Sequence, residues 1–381
     1  DAAMGDATVV AYKGFNRDFT CRGFRYEVGE TYEHDGEVKA CESGFHACEH
    51  PLDVFCYYAP ATSRFASVIM SGEMSRDSDD KIVASRIMIE EELQLHELIG
   101  RAVKHVFDRA KLPQNAATGY GGAATAAGPY GAASATGDCG TATATGTNSA
   151  ASATGEQGAA STTGSRGVAS ATGEQGAALA TGYYSAALAT GPHGAASATG
   201  NYGAASATGE RGAALATGTN GAATASGYCG VASATGYYGL ATASGYFGVA
   251  SATGNYGAAS ASGCGGAAIA TGHSGEATAL GYCGAAIVTD RNGKALAMGD
   301  YGAAIAAGTG GAASTTGERG AAIATGRHGR ASGEIGCALF LVERAEDGNI
   351  IHAWAGIVGR GGIKPDVFYT LRDGKPVEVE Y

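Results

Sequence analysis

Between Gly122 and Gly329 the chain repeats a nine-residue unit, Gly-Ala-Ala-Ser-Ala-Thr-Gly followed by two variable residues, without insertion or deletion. Unit starts recur every nine residues over this range, which makes 24 units. Tandem units of this kind bury their faces only against neighbouring units, so they stack into an elongated array. More than half of the 381 residues therefore form a repetitive scaffold or binding surface.

Alternation inside each unit predicts a β-strand. The third residue is alanine in every unit and the fifth in nearly all, whereas the second, fourth and sixth vary and include Glu276, Lys294 and Arg330. Because strand side chains alternate, the third and fifth residues share one face. We expect this alanine face to be the interior; the alternative is an inner Ser/Thr/Ile face with the alanines against another chain. Glycines at the first and seventh positions mark corners that need positive φ or close backbone approach.

A second period of eighteen residues is superposed on the first. Ile269, Ile287, Ile305 and Ile323 fall eighteen apart. Nine residues are too few for one closed turn, so we expect two units, with two short parallel strands, in each coil. The sequence therefore predicts a mainly β fold built on a parallel β-solenoid of about 12 coils, with an intertwined trimeric fibre as the alternative.

The region before the repeat has the composition of an ordinary domain with helices and strands. Pro51 sits at a typical first helical position. Residues 90–111 combine acidic residues at the start, basic residues at the end and one apolar face, which predicts a helix from Glu90 to Lys111. We therefore expect an N-terminal α+β (α/β) domain.

The region after the repeat predicts two β-hairpins, with turns at Glu346–Asn349 and Arg372–Lys375. A solenoid end exposes unpaired strands that would pair with other chains unless they are covered. We therefore expect a C-terminal β cap. The predicted domains are the N-terminal domain, 6–114, the solenoid, 115–335, and the cap, 336–381.

The charge distribution and the cysteine content limit the partners and the cellular compartment that we expect. The net charge is −11, yet residues 115–333 hold only 8 acidic and 7 basic side chains. Nucleic-acid binding needs a basic stripe interleaved with aromatic residues, so we expect no direct nucleic-acid partner. No stretch has the length and apolarity of a membrane span, and nine scattered cysteines are typical of a reducing cytoplasm. We expect no membrane association.

Four segments carry a resemblance. With Tyr12–Phe15, Cys21–Gly29, Gly44–Phe55 and Phe368–Gly374, the chain resembles a family of uncharacterised phage and prophage proteins that share this N-terminal domain, a variable run of the nonapeptide and a short C-terminal module. The resemblance implies a viral protein in the host cytoplasm, with virion association as the alternative. It carries no established activity.

The sequence contains one cluster of cysteine and histidine residues, which are the ligand types that zinc prefers; its members lie between Cys41 and His50, with Cys21 upstream. The spacing between Cys41 and Cys48 does not match paired Cys-x-x-Cys knuckles, and the favoured interpretation is buried reduced cysteines beside a helix-capping His50. The alternative metal ligands are Cys41, His46, Cys48 and His50.

A further resemblance concerns the segment Gly44–Ala47 and the helix that ends at Tyr57 and Tyr58. It resembles the nicotinamide-pocket segment of ADP-ribosyltransferases, although Lys13 replaces the Arg or His of that family and no Ser-Thr-Ser stretch is present. The alternative function that it implies is an NAD-dependent enzyme with the solenoid as targeting arm, where a carboxylate stabilises an oxocarbenium-like centre. The residues implicated are Tyr12, Lys13, His46, Glu90 and Glu92.

Aromatic residues recur in the variable pairs of the repeat. Tyrosine offers a large contact area at low entropy cost, so these residues predict a binding surface; mutual stacking along the repeat is the simpler interpretation. The candidate binding residues are Tyr183, Tyr184, Tyr237, Tyr238, Tyr246 and Phe247.

The sequence thus predicts a non-enzymatic structural or protein-binding rod, with no catalytic residues and no cofactor. Its expected partner is a host or viral protein, for example one of host defence. The nearly uncharged stretch from Gly212 to Ser274 makes self-association through the solenoid the alternative.

Overall fold

The computed structural model describes residues 7–39, 43–76, 81–110 and 115–380. The chain divides into two compact units by its internal contacts. The first unit comprises Asp1–Thr172, Gly176–Leu188 and Ser197–Ala204, and the second comprises Gly173–Gln175, Ala189–Ala196 and Ala205–Tyr381. The N-terminal domain and the early repeats therefore belong to the first unit, and the later repeats and the C-terminal hairpins to the second.

The N-terminal domain is a small antiparallel barrel. Its strands are β1 (Val9–Phe15), β2 (Thr20–Cys21), β3 (Phe24–Arg25), β4 (Thr31–Glu33), β5 (Phe45–Cys48), β6 (Arg64–Arg76) and β7 (Lys81–Leu93). The main sheet has the order β4-β7-β5-β1-β6, and an additional pairing of β7 with β6 closes it. Phe15, Met70, Ile82 and Ile87 are fully buried in its core.

Two helices flank the barrel: a 3₁₀ helix, Pro51–Cys56, and helix α1, Leu95–Arg109. The first confirms the predicted start at Pro51. The predicted start of the second at Glu90 is wrong, because β7 continues to Leu93 through pairing with β6. Helix α1 begins only after Gln94, whose backbone N–H donates to the Glu97 carboxylate at 2.7 Å.

Residues 116–341 form a parallel β-solenoid of about 13 turns, which confirms the predicted fold class. The repeat strands alternate between two sheets, the even-numbered ones in the first and the odd-numbered ones in the second. The repeat strands are β8 (Ala116–Thr118), β9 (Ala123–Ala127), β10 (Ala132–Thr136), β11 (Thr141–Thr145), β12 (Ala150–Thr154), β13 (Ala159–Thr163), β14 (Val168–Thr172), β15 (Ala177–Thr181), β16 (Ala186–Ala189), β17 (Ala195–Thr199), β18 (Ala204–Ala207), β19 (Ala213–Thr217), β20 (Ala222–Ala225), β21 (Val231–Thr235), β22 (Leu240–Ala243), β23 (Val249–Thr253), β24 (Ala258–Ala261), β25 (Ala267–Thr271), β26 (Glu276–Ala279), β27 (Ala285–Val288), β28 (Lys294–Ala297), β29 (Ala303–Ala306), β30 (Ala312–Thr315), β31 (Ala321–Ala324) and β32 (Arg330–Gly333).

The strand register confirms the eighteen-residue turn. In the first unit Ala132 pairs with Ala150, and in the second Val231 pairs with Val249. Partners lie eighteen residues apart, so each turn consists of two nonapeptides. The alanines of the third and fifth positions point inward, as Ala250 and Ala252 illustrate with no exposed surface.

The corners follow the predicted glycines only in part. A Cβ at Gly227 would overlap the carbonyl oxygen of Gly209 on the preceding turn, so close approach excludes a side chain there. The ninth residue of most units also adopts positive φ although it is not glycine, as in Tyr238 at 58°. The left-handed corner therefore falls on a variable residue that composition alone does not mark.

Both sheets end in the predicted C-terminal hairpins. Their strands are β33 (Ala338–Arg344), β34 (Ile350–Ile357), β35 (Phe368–Arg372) and β36 (Lys375–Val379). Strand β33 runs parallel to β31 and pairs with β34 antiparallel, and β35 runs antiparallel to β32. The Glu343 carboxylate accepts hydrogen bonds from the backbone N–H groups of Asp373 and Gly374 at 3.0 and 2.9 Å, which ties the two hairpins together.

Within the first unit, the helices pack on the early repeats. One buried cluster joins Leu52, Phe55 and Leu98 of the helices to Val168 and Leu188 of the repeat. At its margin, an Asp53 carboxylate oxygen lies 2.9 Å from Nε of Arg166. The apolar cluster and this ion pair thus anchor the N-terminal domain to particular repeats.

Candidate functional site

The N-terminal domain contains a cavity of about 550 Å³. Strands β1 and β5, the hairpin of β2 and β3, and the end of the 3₁₀ helix surround it. Its aromatic lining consists of Tyr12, Phe24, Tyr26, Phe45, Tyr57 and Tyr58. Its polar lining includes Lys13, Cys21, Arg22, Glu33, His34, His46, Cys48 and Lys81.

Local sequence explains how the walls meet. Tyr12 of β1 pairs with Cys48 of β5, so the two strands lie side by side at the cavity. The chain then turns at His50, whose Nδ1 accepts a hydrogen bond from the Leu52 backbone N–H at 3.1 Å and caps the 3₁₀ helix. A Cβ at Gly14 would lie 2.5 Å from Cγ of Tyr58. Glycine is therefore required where the Tyr58 ring crosses β1.

Among the described residues Lys13 is the one lysine that is buried, with 6% of its surface exposed. Its Nζ donates to the His46 carbonyl oxygen at 2.8 Å and lies 5.8 and 5.6 Å from the ring centroids of Phe15 and Tyr26. Burial lowers the pKa of Lys13, and the neighbouring Cys21 thiol opposes part of that shift. The amine is consequently closer to its neutral, nucleophilic form than an exposed lysine.

Two further groups interact at the cavity wall. The Tyr58 hydroxyl donates to Sγ of Cys21 at 3.0 Å. Burial and this contact raise the pKa of Tyr58, and burial raises that of Tyr26. Both phenols therefore remain protonated and can act as hydrogen-bond donors.

Positive charge gathers at the same place. His46 Nδ1 lies 3.0 Å from the Gly44 carbonyl oxygen. Burial lowers the pKa of His46, and the charges of Lys13, Arg22 and Lys81 lower it further. A neutral imidazole thus faces a cationic cavity.

The structure brings together only part of the predicted transferase set. Tyr12, Lys13 and His46 line the cavity. Glu90 and Glu92 lie at the end of β7 and do not line it; Glu90 accepts a hydrogen bond from Ser67 at 3.0 Å, and Glu92 forms a bidentate ion pair with Arg64 at 2.6 and 2.7 Å. The acidic residue of the lining is Glu33, which pairs with Arg86 at 2.8 Å.

The predicted metal ligands have different positions and contacts in the structure. Cys41 lies outside the described residues. His46 and Cys48 belong to β5, and His50 uses its Nδ1 to cap the 3₁₀ helix, as predicted. Within the described ranges, no group of three or more His, Cys, Asp and Glu residues is arranged to hold a metal ion.

The predicted aromatic surface lies on the turns of the solenoid. Tyr237, Tyr238, Tyr246 and Phe247 are 43 to 60% exposed. They also contact one another: the rings of Tyr237 and Tyr238 meet edge to face, with their centroids 4.7 Å apart. Exposure and mutual ring contact therefore coexist.

The two candidates at the early repeats differ from each other. Tyr183 is 57% exposed, whereas Tyr184 packs against the buried cluster shared with the N-terminal domain. Tyr184 thus contributes to the internal contact of the first unit.

Sequence reasoning did not assign Arg22 and Glu33 to a site, and it related Cys21 only to the cysteine and histidine cluster. Cys21 of β2, Arg22 of the turn after β2 and Glu33 of β4 all line the cavity. Arg22 and Gly23 both have positive φ, and the Arg-Gly pair before Phe24 was the one local signal for the tight β2–β3 hairpin. The position of this hairpin beside β1 depends on contacts between segments that are distant in the sequence, and no local pattern encodes such contacts.

None of the helices in the described ranges is long and apolar enough to span a bilayer.

Comparison with other proteins finds one match, to the N-terminal domain. Neither a curated protein nor a solved structure matches the chain. Residues 9–101, which contain the barrel, the cavity and the first part of helix α1, match DUF7666, a domain of unknown function.

Proposed function

We propose that this protein is a non-catalytic binding protein whose solenoid turns contact a protein partner. One observation carries the proposal: no Asp, Glu, Lys or Arg occurs from Gly212 to Gly275, yet large aromatic side chains project from the turns of this stretch. Exposed apolar patches of this kind are typical of interaction sites.

The aromatic residues form two groups within the second unit, following strands of different sheets. After β20 and β22, the ring centroid of Tyr228 lies 6.4 Å from Tyr246 and 5.9 Å from Phe247. After β21 and β23, Tyr238 stacks on Tyr256 at 5.2 Å. Each group is held in place by its neighbours, so little side-chain entropy remains to be lost on binding.

The surface selects a partner by its chemistry. Because the stretch carries no charged side chain, association depends on apolar contact and on the tyrosine hydroxyls rather than on ion pairs. We propose a host or viral protein with a complementary apolar patch, encountered in the host cytoplasm as the phage resemblance implies. Such a complex depends only weakly on salt.

The test compares the full chain with a variant in which Tyr237, Tyr238, Tyr246 and Phe247 are changed to serine. Proteins captured from the lysate of infected cells are identified, purified and titrated against both forms. We expect affinity to fall at least 100-fold in the variant, as for aromatic hot spots, and the wild-type affinity to change less than threefold between 50 and 500 mM salt.

Tyr120, which is 85% exposed near the start of the repeat, provides the matched control. The Tyr120→Ser variant should bind like the wild type. A purified partner that binds the four-residue variant equally well contradicts the proposal. If the wild type instead forms a dimer in sedimentation experiments and the variant does not, the surface serves self-association.

The cavity favours a second candidate, an NAD-dependent transferase. Three residues implied by the transferase resemblance, Tyr12, Lys13 and His46, line it together. An enzyme of this kind requires that NAD⁺ raise the melting temperature of the N-terminal domain, and its catalytic carboxylate cannot be Glu90 or Glu92, because neither lines the cavity. Absence of any thermal shift at millimolar NAD⁺ eliminates this candidate.

A further inference from the structure

We propose that Lys13 is a covalent ligand-binding residue whose amine forms an imine with the carbonyl group of an anionic aldehyde or ketone bound in the cavity. The proposal does not depend on the function of the solenoid. It assigns a ligand class to the domain of residues 9–101.

The amine of Lys13 is buried, and no opposite charge of the described residues lies beside it. Lysine is almost never fully buried unless it is paired with an opposite charge, yet no ion pair of Lys13 is found among the described residues. Its Nζ donates to the His46 carbonyl oxygen at 2.8 Å and is also hydrogen-bonded to the Cys21 side chain. These two bonds use two of the three N–H groups of the ammonium form, so loss of the third proton leaves the lone pair of the neutral amine for the cavity that Lys13 lines.

The groups around the Lys13 amine favour its attack on a carbonyl carbon. The rings of Phe15 and Tyr26 lie on the amine, and burial lowers the pKa of Lys13, which increases the neutral fraction that attacks carbonyl carbon. Tyr58 and Cys21, hydrogen-bonded to each other at 3.0 Å, supply O–H and S–H groups in the same cavity.

The reaction balances without oxidant or metal. The Lys13 nitrogen forms a bond to the carbonyl carbon as the carbonyl π bond breaks, and one proton passes from nitrogen to oxygen through solvent to give a carbinolamine. The hydroxyl of the carbinolamine takes up a second proton from solvent, the C–O bond breaks and water leaves, and the nitrogen then returns its second proton to solvent. One amine and one carbonyl thus yield one imine and one water, with the Tyr58 hydroxyl as a hydrogen-bond donor of the lining.

The other charged residues of the lining indicate which further groups the ligand carries. Arg22 and Lys81 add positive charge to the lining, and Glu33 is paired with Arg86. Lys81 Nζ lies 3.8 Å from the Tyr57 ring centroid, so cation and aromatic wall adjoin. A flat ligand with an anionic group fits this combination.

Pyridoxal phosphate is the probe, because it combines an aldehyde, a flat ring and a phosphate. The full chain is mixed with less than one equivalent, reduced with borohydride and mapped by peptide mass spectrometry. We expect at least tenfold more label on Lys13 than on Lys104, which lies exposed on helix α1 (side chain 73% exposed), together with the absorbance band of an imine. Label confined to exposed lysines overturns the proposal.

Two variants complete the test. Lys13→Met preserves length and apolar volume, and it should remove the absorbance band and most of the label; Lys104→Met should remove neither. If Lys13→Met fails to fold, the ratio of label between Lys13 and Lys104 in the wild type decides alone. A ratio near one refutes the assignment.

Discussion

The N-terminal barrel and the solenoid bury apolar surface in different ways. The barrel and its helices enclose large side chains, among them Phe15, Phe55 and Met70, with no exposed surface. The solenoid encloses alanines, and its turns are joined by backbone ladders with partners eighteen residues apart. The barrel should therefore be sensitive to loss of side-chain volume and the solenoid to its addition.

The largest expected effect is in the N-terminal domain. Phe55→Ala removes a side chain that contacts Phe65, at a ring separation of 5.4 Å, and the resulting cavity should cost about 3–5 kcal/mol. Hydrogen exchange of peptides from β1 and β6 measures the loss in the intact chain. Phe24→Ala is the control, because Phe24 is 48% exposed; equal losses in both variants would contradict the comparison.

A methyl group added at a solenoid corner should have the next largest effect. In Gly227→Ala the new Cβ overlaps the carbonyl oxygen of Gly209, so the turn must move and its ladder bonds must lengthen. We expect a loss of about 3 kcal/mol, seen as faster hydrogen exchange in β20 and β22 and not in the barrel. Tyr228→Ala, which changes the adjacent exposed residue, should leave exchange unaltered.

Position within the strand should decide the effect of a larger side chain. Ala250→Leu adds volume to the interior, where Ala250 has no exposed surface, and should cost about 1–3 kcal/mol. Ala258→Leu adds the same atoms to the outer face, where its ladder partner is already Leu240. Urea unfolding of the two variants separates them, and the comparison fails if they are equally stable.

The same contrast explains what could be predicted. The solenoid follows from the sequence because every contact repeats: the alanine at the third position and the eighteen-residue register need only local alternation and period. The cavity joins Lys13, Cys21 and Tyr58 from distant segments, which no period relates. Glu90 illustrates the same limit, since its acidic run is typical of a helix start but pairing with β6 keeps it in a strand.

The core of the first unit also selects individual repeat residues in a way that the repeat itself does not reveal. Arg166 occupies a variable position, yet its contact with Asp53 anchors the N-terminal domain. Tyr184 sits at another such position and joins the shared cluster. The two variable residues of a repeat unit thus contact the N-terminal domain in some turns and are exposed to solvent in others.

Acid should separate the two regions, because among the described residues a buried histidine lies only in the N-terminal one. His50 faces His105, Arg166, Arg109 and Asp53, and burial, reinforced by His105, lowers its pKa to about 3. As pH falls below about 6.5, the unfolded state binds a proton that the folded state does not. Stability is therefore complete above pH 6.5 and falls by about 1.4 kcal/mol per pH unit toward pH 3.

His50→Asn isolates this contribution. Asparagine keeps an acceptor for the helix cap but does not titrate, so the variant should lose less stability between pH 6.5 and pH 4 than the wild type. The lowered pKa values of His46 and His105 act in the same direction and leave a residual slope. In the solenoid, histidines such as His193 lie exposed on turns. Hydrogen exchange should consequently accelerate with acid in the barrel and helices before the repeat strands; simultaneous acceleration in both regions would show that His50 does not control acid unfolding.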